Sequence, residues 1–193
     1  MSIPSNVLTN ADLIAYWNLT RGDSKTVLTE KELYQCGVMV KLIDILPATG
    51  SNIYLTDAIA DQNYNGINYK SVPDFLDSSF ANYVEKNQIN NNGTSLKVSN
   101  VSQDYLSMAL RGFWNDAKVN IWMGIVNPAT GGILYAYRMF SGYIDYFSSD
   151  FNNTAGNTTN ETTVNLNSLW KKLDQTQRLL SSTSVHQSLH TGD

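Results

Sequence analysis

Residues 118–147 read KVNIWMGIV, NPATGG, ILYAYRMFSGYIDYF, and their pattern decides the fold. Val119, Ile121, Met123 and Ile125 alternate with their neighbours, and so do Ile133, Tyr135, Tyr137 and Met139. A period of two is the mark of a strand with two unlike faces. Between the runs lies Asn127-Pro128-Ala129-Thr130-Gly131-Gly132, which is hairpin-loop chemistry. The stretch therefore predicts a long β-hairpin at the centre of a β-rich domain. By itself it says nothing about chemistry.

Upstream, Leu96 and Val98 alternate as a short half-buried strand. Val101, Tyr105, Leu106, Ala109, Leu110 and Phe113 recur at spacings of three and four, which predicts one short helix over 102–113. Downstream, Gly142 interrupts the strand pattern and predicts a bulge. Residues 152–160 read as a polar tip. Val164, Leu166, Ser168 and Trp170 share one face of a strand that pairs with 138–149 as a second antiparallel hairpin.

Earlier in the chain, Gly37–Leu46 is a Val- and Ile-rich strand stopped by Pro47, and Ile53–Thr56 begins another. Asn65-Gly66 between Tyr64 and Ile67 is a strong hairpin signal. Phe75, Phe80, Tyr83 and Val84 fit an edge strand or an irregular crossing over 74–90. Ala11–Asn18 predicts one or two helical turns capped by Asn10, and Thr29–Tyr34 another turn, with Thr29 and Glu32 a poor capping box. Arg21-Gly22-Asp23 spells an adhesion tripeptide but reads as a plain turn. From Lys171 onward Gln and Ser dominate, and the aliphatic residues follow neither period. The expected division is an N-terminal arm with short helices (1–36), a β-rich domain (37–170) and an extended C-terminal arm (171–193).

Composition narrows the classes. Of 193 residues, 42% are hydrophobic and 16% charged, below the roughly 25% of an average domain. A surface polar but poor in charge suits a subunit packed among others, and equally a secreted protein. Net charge is −4, without the basic run that nucleic-acid binding needs. No apolar run is long enough to cross a bilayer. The start, MSIPSNVLTNADL, lacks the regions of a signal peptide, and Cys36 stands alone. Synthesis in a cytoplasm is the expectation.

No catalytic constellation is legible. His186 and His190 are four apart, but a metal site needs three or four ligands and no Cys or acid lies near them. Cys36, beside a Val-rich strand, reads as a packed residue rather than a nucleophile. Asp57 with Asp61, and Asp145 with Asp150, read as solvated loop acids. Six Asn-x-Ser/Thr triplets (Asn18, Asn92, Asn100, Asn152, Asn157, Asn160) matter only in a secreted protein. Tyr135, Tyr137 and Trp122 could line a sugar-binding face, although alternation says strand packing first.

The order of motifs carries a resemblance. VKLIDIL, NYNGINYKSVP, LKVSNVSQDYLSMALRG, FWNDAKVNIWMGIVNPATGG, FSGYID, VNLNSLW and the final Gly192-Asp193 follow one another as in the minor tail protein L and baseplate-hub family of long-tailed phages and gene transfer agents. The chain resembles that family from about Gly37 to Gly192. The resemblance implies a mainly β, hairpin-rich fold with small barrel-like domains. It implies a tail-tip structural protein of the virion, not an enzyme, made in the host bacterial cytoplasm. Its implied partners are the distal tail protein and a central tip or fibre protein, in a ring of three copies rather than six. The alternative is a carbohydrate-binding, host-recognising module of the same tail. Relatives commonly continue into a cysteine-rich domain holding an iron–sulfur cluster. A chain with Cys36 alone cannot ligate one, so no cofactor is expected, and that domain is absent or supplied by another protein. For interfaces the candidates are Asn127, Pro128 and Thr130 on the hairpin loop, and Leu179, Leu180, Val185 and Leu189 on the arm.

Overall fold

The computed structural model describes residues 2–71, 94–99, 112, 114, 116–154 and 157–168. Expectations for the helix over 102–113, the crossing at 74–90 and the arm at 171–193 fall outside them. Three short helices come first: α1 (Ser5–Leu8), α2 (Ala11–Arg21) and α3 (Glu30–Gln35). Among the described residues eight strands follow: β1 (Met39–Leu46), β2 (Ile53–Thr56), β3 (Gln62–Tyr64), β4 (Ile67–Ser71), β5 (Thr94–Ser99), β6 (Lys118–Val126), β7 (Ile133–Thr154) and β8 (Asn157–Ser168). They make one mixed sheet in the order β3-β4-β2-β1-β6-β7-β8-β5.

The β class is as expected, and all three expected hairpins form. Asn65 and Gly66 take φ of 51° and 78°, the paired left-handed conformation of a tight two-residue turn. The barrel is corrected: the sheet is open, with β3 and β5 at its ends. It does curl, because the Tyr64 hydroxyl on β3 accepts the Ala136 N–H of β7 at 3.2 Å. One phenol thus bridges a seam that a ladder would have to zip for true closure.

β7 explains the shape. Its 22 residues extend roughly 70 Å. Residues 133–143 pair with β6 and residues 142–154 with β8, so the two ladders share only Gly142 and Tyr143. The first half belongs to the curl and the second to a wing with β8 and β5. Gly142 itself is not a bulge: it pairs with Val119 on one side and Ser168 on the other. The register slips instead at Leu134, Met139 and Asp145, each an extra residue without an opposite number. A Cβ at Gly142 would lie 2.1 Å from the Asn167 carbonyl oxygen, so backbone crowding between strands is what requires glycine there. The polar tip is also narrower than expected, since the strands run to Thr154 and resume at Asn157.

Burial follows the pleat. Ile43, Ile45, Val119, Ile121, Phe140, Ile144, Val164 and Leu166 pack on one face around Trp114, whose ring lies 5.4 Å from that of Phe147. Leu42, Tyr69 and Ala136 gather on the other, inside the curl. β1 is therefore buried on both faces, which is why VKLIDIL is nearly continuous in apolar residues.

Residues 2–36 lie packed against the sheet. Leu13, Trp17, Leu28 and Leu33 bury themselves with Ile125 of β6. Full burial of Leu13 and Leu33 contributes about 1.5–3 kcal/mol each. Asn10 caps α2 by accepting from Asp12 N and Leu13 N, both at 3.1 Å. The helix runs beyond the expected two turns and stops where Gly22 turns left-handed at φ 66°. At α3 the capping box forms after all: Thr29 N donates to Glu32 Oε2 at 2.9 Å and Glu32 N to Thr29 Oγ1 at 3.3 Å. Glu30 lies at the first helical position and does not compete for those donors.

Candidate assembly surfaces and a buried polar centre

A buried polar group with three donors lies inside the curl. Asp44 is 7% exposed on β1, and a carboxylate so placed needs donors. Register supplies them. Asn120 is its cross-strand partner on β6, and Ser141 is the partner of Asn120 on β7, so the three form one transverse row. Asn120 Nδ2 donates to Asp44 Oδ2 at 3.2 Å, and Ser141 Oγ donates to Asn120 Oδ1 at 2.9 Å. From the next row Trp122 Nε1 donates to Asp44 Oδ2 at 2.7 Å. From β4 the Tyr69 hydroxyl donates to Oδ1 at 2.9 Å. Burial, with the Asp44 charge next, pushes the Tyr69 phenol well above its ordinary range. The donors tie β6 and β4 to β1, and Ser141 extends the row to β7, so the arrangement pins the curl. Sequence reading passed over Asp44 as one polar residue of a strand. The available signal was an acid within a run too apolar to have a wet face.

The hairpin-loop candidates separate. Asn127 is buried, its Nδ2 donating to Asp12 Oδ2 at 2.7 Å and its Oδ1 accepting from Ala129 N at 2.8 Å and Thr130 N at 3.4 Å. It shapes the loop and ties it to α2, so its side chain is already committed within the chain. Pro128 is half-buried and Thr130 exposed. Leu179, Leu180, Val185 and Leu189, like His186 and His190, lie outside the described residues.

Other motifs are absorbed by the fold. Arg21-Gly22-Asp23 is the end of α2: the Arg21 guanidinium lies 5.4 Å from the Trp17 ring centroid, and Asp23 Oδ2 accepts from Trp17 Nε1 at 3.3 Å. The Asn18 amide clamps Lys25, donating to its carbonyl and accepting from its N–H, each at 2.9 Å. Cys36 caps α3 among apolar side chains, and burial pushes its thiol up. Asp57 and Asp61 each accept a different backbone N–H, from Lys41 at 2.6 Å and Ser71 at 2.8 Å. Tyr135 and Tyr137 stack on one another with centroids 6.5 Å apart and planes 29° off parallel. The Tyr34 and Tyr137 hydroxyls meet at 3.1 Å.

No protein-family model matches the sequence, and no curated protein does. Among solved structures, the chain is similar to one from a study described as "Virion of native gene transfer agent (GTA) particle". The TM-score is 0.55 at 20% identity, and the match covers 78% of this chain. It spans 47% of that chain, so this protein corresponds to about half of its length. The mainly β fold is thus shared with a chain of a virus-like particle.

Proposed function

We propose that this protein is a structural subunit of a phage or phage-like virion, placed at the tail tip as a hub or minor tail protein. The observation that carries the reading is the fold shared over most of the chain with a chain of a gene transfer agent particle. Motif order supports it independently. In this reading the protein joins the distal tail tube to the central tip or fibre protein, in a ring of three copies, and performs no catalysis. Its polar side chains support that last point by what they do: Asp44, Asn120 and Asn127 each hold strands or loops together.

Residues 171–193 carry Leu173, Leu179, Leu180, Val185 and Leu189 and are proposed to engage neighbouring subunits. Cryo-electron microscopy of the intact particle tests the whole reading. Density for several copies around the tail axis at the distal end is expected; a single copy, or a position elsewhere on the particle, overturns it. Removing residues 174–193 should leave the free subunit's thermal midpoint unchanged and abolish incorporation into tails.

A further inference from the structure

Residues 57–61, Asp-Ala-Ile-Ala-Asp, join β2 to β3. Hydrogen bonds hold the loop at both ends. Lys41 N donates to Asp57 Oδ1 at 2.6 Å, and Asp57 N to Lys41 O at 3.3 Å. Ala58 N donates to Thr56 Oγ1 at 3.2 Å, and Ser71 Oγ to Ala58 O at 2.5 Å. Ser71 N donates to Asp61 Oδ1 at 2.8 Å. The residue in the middle is left out: Ile59 is 103% exposed, more than any other large apolar side chain among the described residues. A loop whose ends are held by hydrogen bonds while one aliphatic side chain stands exposed has already met the ordering cost that an interface imposes. Asp57 and Asp61 are exposed on either side, so the apolar tip stands in an acidic setting.

The opposite chemistry occurs on β7. Met139, the extra residue of a bulge, is 39% exposed. Arg138 precedes it, also exposed, with its guanidinium 5.8 Å from the Trp122 ring centroid. An exposed methionine thus stands beside an exposed cation.

We propose that the 57–61 loop of one copy docks on the Arg138–Met139 patch of a second copy, with Ile59 against Met139 and the two carboxylates beside Arg138. The proposal rests on the ring reading above and gives it a contact. Knob and patch are different surfaces of one chain, which is the head-to-tail arrangement a ring requires. Opposite charge sets the approach, and the buried isoleucine holds the contact.

Sedimentation velocity of the full chain over a concentration series tests it. The wild type should self-associate, and Ile59→Asp should weaken association about tenfold or more. Arg138→Glu should do the same. Because Ile59 is fully exposed in its own chain, Ile59→Asp should keep the thermal midpoint. Mixing the two variants decides the geometry. The intact loop of the Arg138→Glu chain can still dock on the intact patch of the Ile59→Asp chain, so the mixture should form dimers and stop there. Two variants that associate like the wild type overturn the knob and leave a ring built on other surfaces standing. A wild type that stays monomeric throughout overturns the contact itself, while the tail-tip position is judged separately from the particle.

Discussion

The Tyr69 hydroxyl donates to Asp44 Oδ1 across 2.9 Å, joining β4 to β1 although β2 lies between them in the sheet. Asp44→Ala would leave this hydroxyl, the Asn120 amide and the Trp122 indole N–H without their acceptor. A loss of about 3–5 kcal/mol is expected, the scale for breaking a buried charged network from one side. Asp44→Asn keeps the volume but sets an amide against donors, so it should cost less. Tyr69→Phe removes a single donor to a charged group and should cost about 1.5–3 kcal/mol. Urea denaturation of the three variants checks the order; equal losses would contradict it.

Gly142→Ala should be among the most damaging single-methyl changes in the chain. The new Cβ would sit 2.1 Å from the Asn167 carbonyl oxygen and 2.6 Å from the Phe140 ring. Backbone cannot swing aside as a side chain can, so β7 and β8 must part locally. About 3 kcal/mol or more is expected, at the upper end for overpacking. Hydrogen exchange should rise first in β8 near Asn167.

The stability of α3 should depend on acid in one window. The Lys25 ammonium, and next the Thr29 N–H, hold the Glu32 carboxyl down from 4.5 to about 2. A depressed carboxylate contributes fully above its unfolded value and loses that contribution as pH falls through its folded one. The contribution of Glu32 is therefore intact above pH 4.5 and fades between 4.5 and about 2. Glu32→Gln should flatten this part of the thermal-midpoint profile and leave its shape above it unchanged. A variant profile parallel to the wild type through the window would refute the assignment.

Asn127→Ala should loosen the helices more than the hairpin. It removes the 2.7 Å link to Asp12 and the acceptor for Ala129 N, at about 1–2 kcal/mol in all. Exposed Thr130 is the control, and Thr130→Ala should stay within about 0.5 kcal/mol of the wild type. Amide exchange in α2 should quicken in the first variant alone.

Local chemistry was legible from the sequence. Asn65-Gly66 dictated its turn, the alternation of 119–125 and 133–139 dictated the central hairpin, and Asn10 dictated the start of α2. What lay beyond reach depends on contacts distant in the chain. Nothing in Ile53–Thr56 announces that it pairs in parallel with Ile67–Ser71, or that β5 joins the sheet outside β8. The position of Gly142 was noticed but its reason was misread, since the crowding comes from Asn167. Of the candidate surfaces, Thr130 is exposed and Asn127 is not, a difference that rests on Asp12, 115 residues earlier. The arm candidates fall outside the described residues. Ile59 and Arg138 drew no comment, because exposure leaves no mark on periodicity.

The division of β7 between two partners also makes it a ruler. The wing beyond Tyr143 is read off by β8 alone at its far end, from Asp150 to Thr154, without reference to β6. Its reach can therefore change without disturbing the curl, provided residues enter both strands near the 154–157 turn in even numbers. Each added pair of residues per strand extends the wing by roughly 6.6 Å and keeps every side chain on its own side; an odd insertion turns the face of the new segment over. Lengthened by such steps, this protein would carry one docking body and an adjustable spacing.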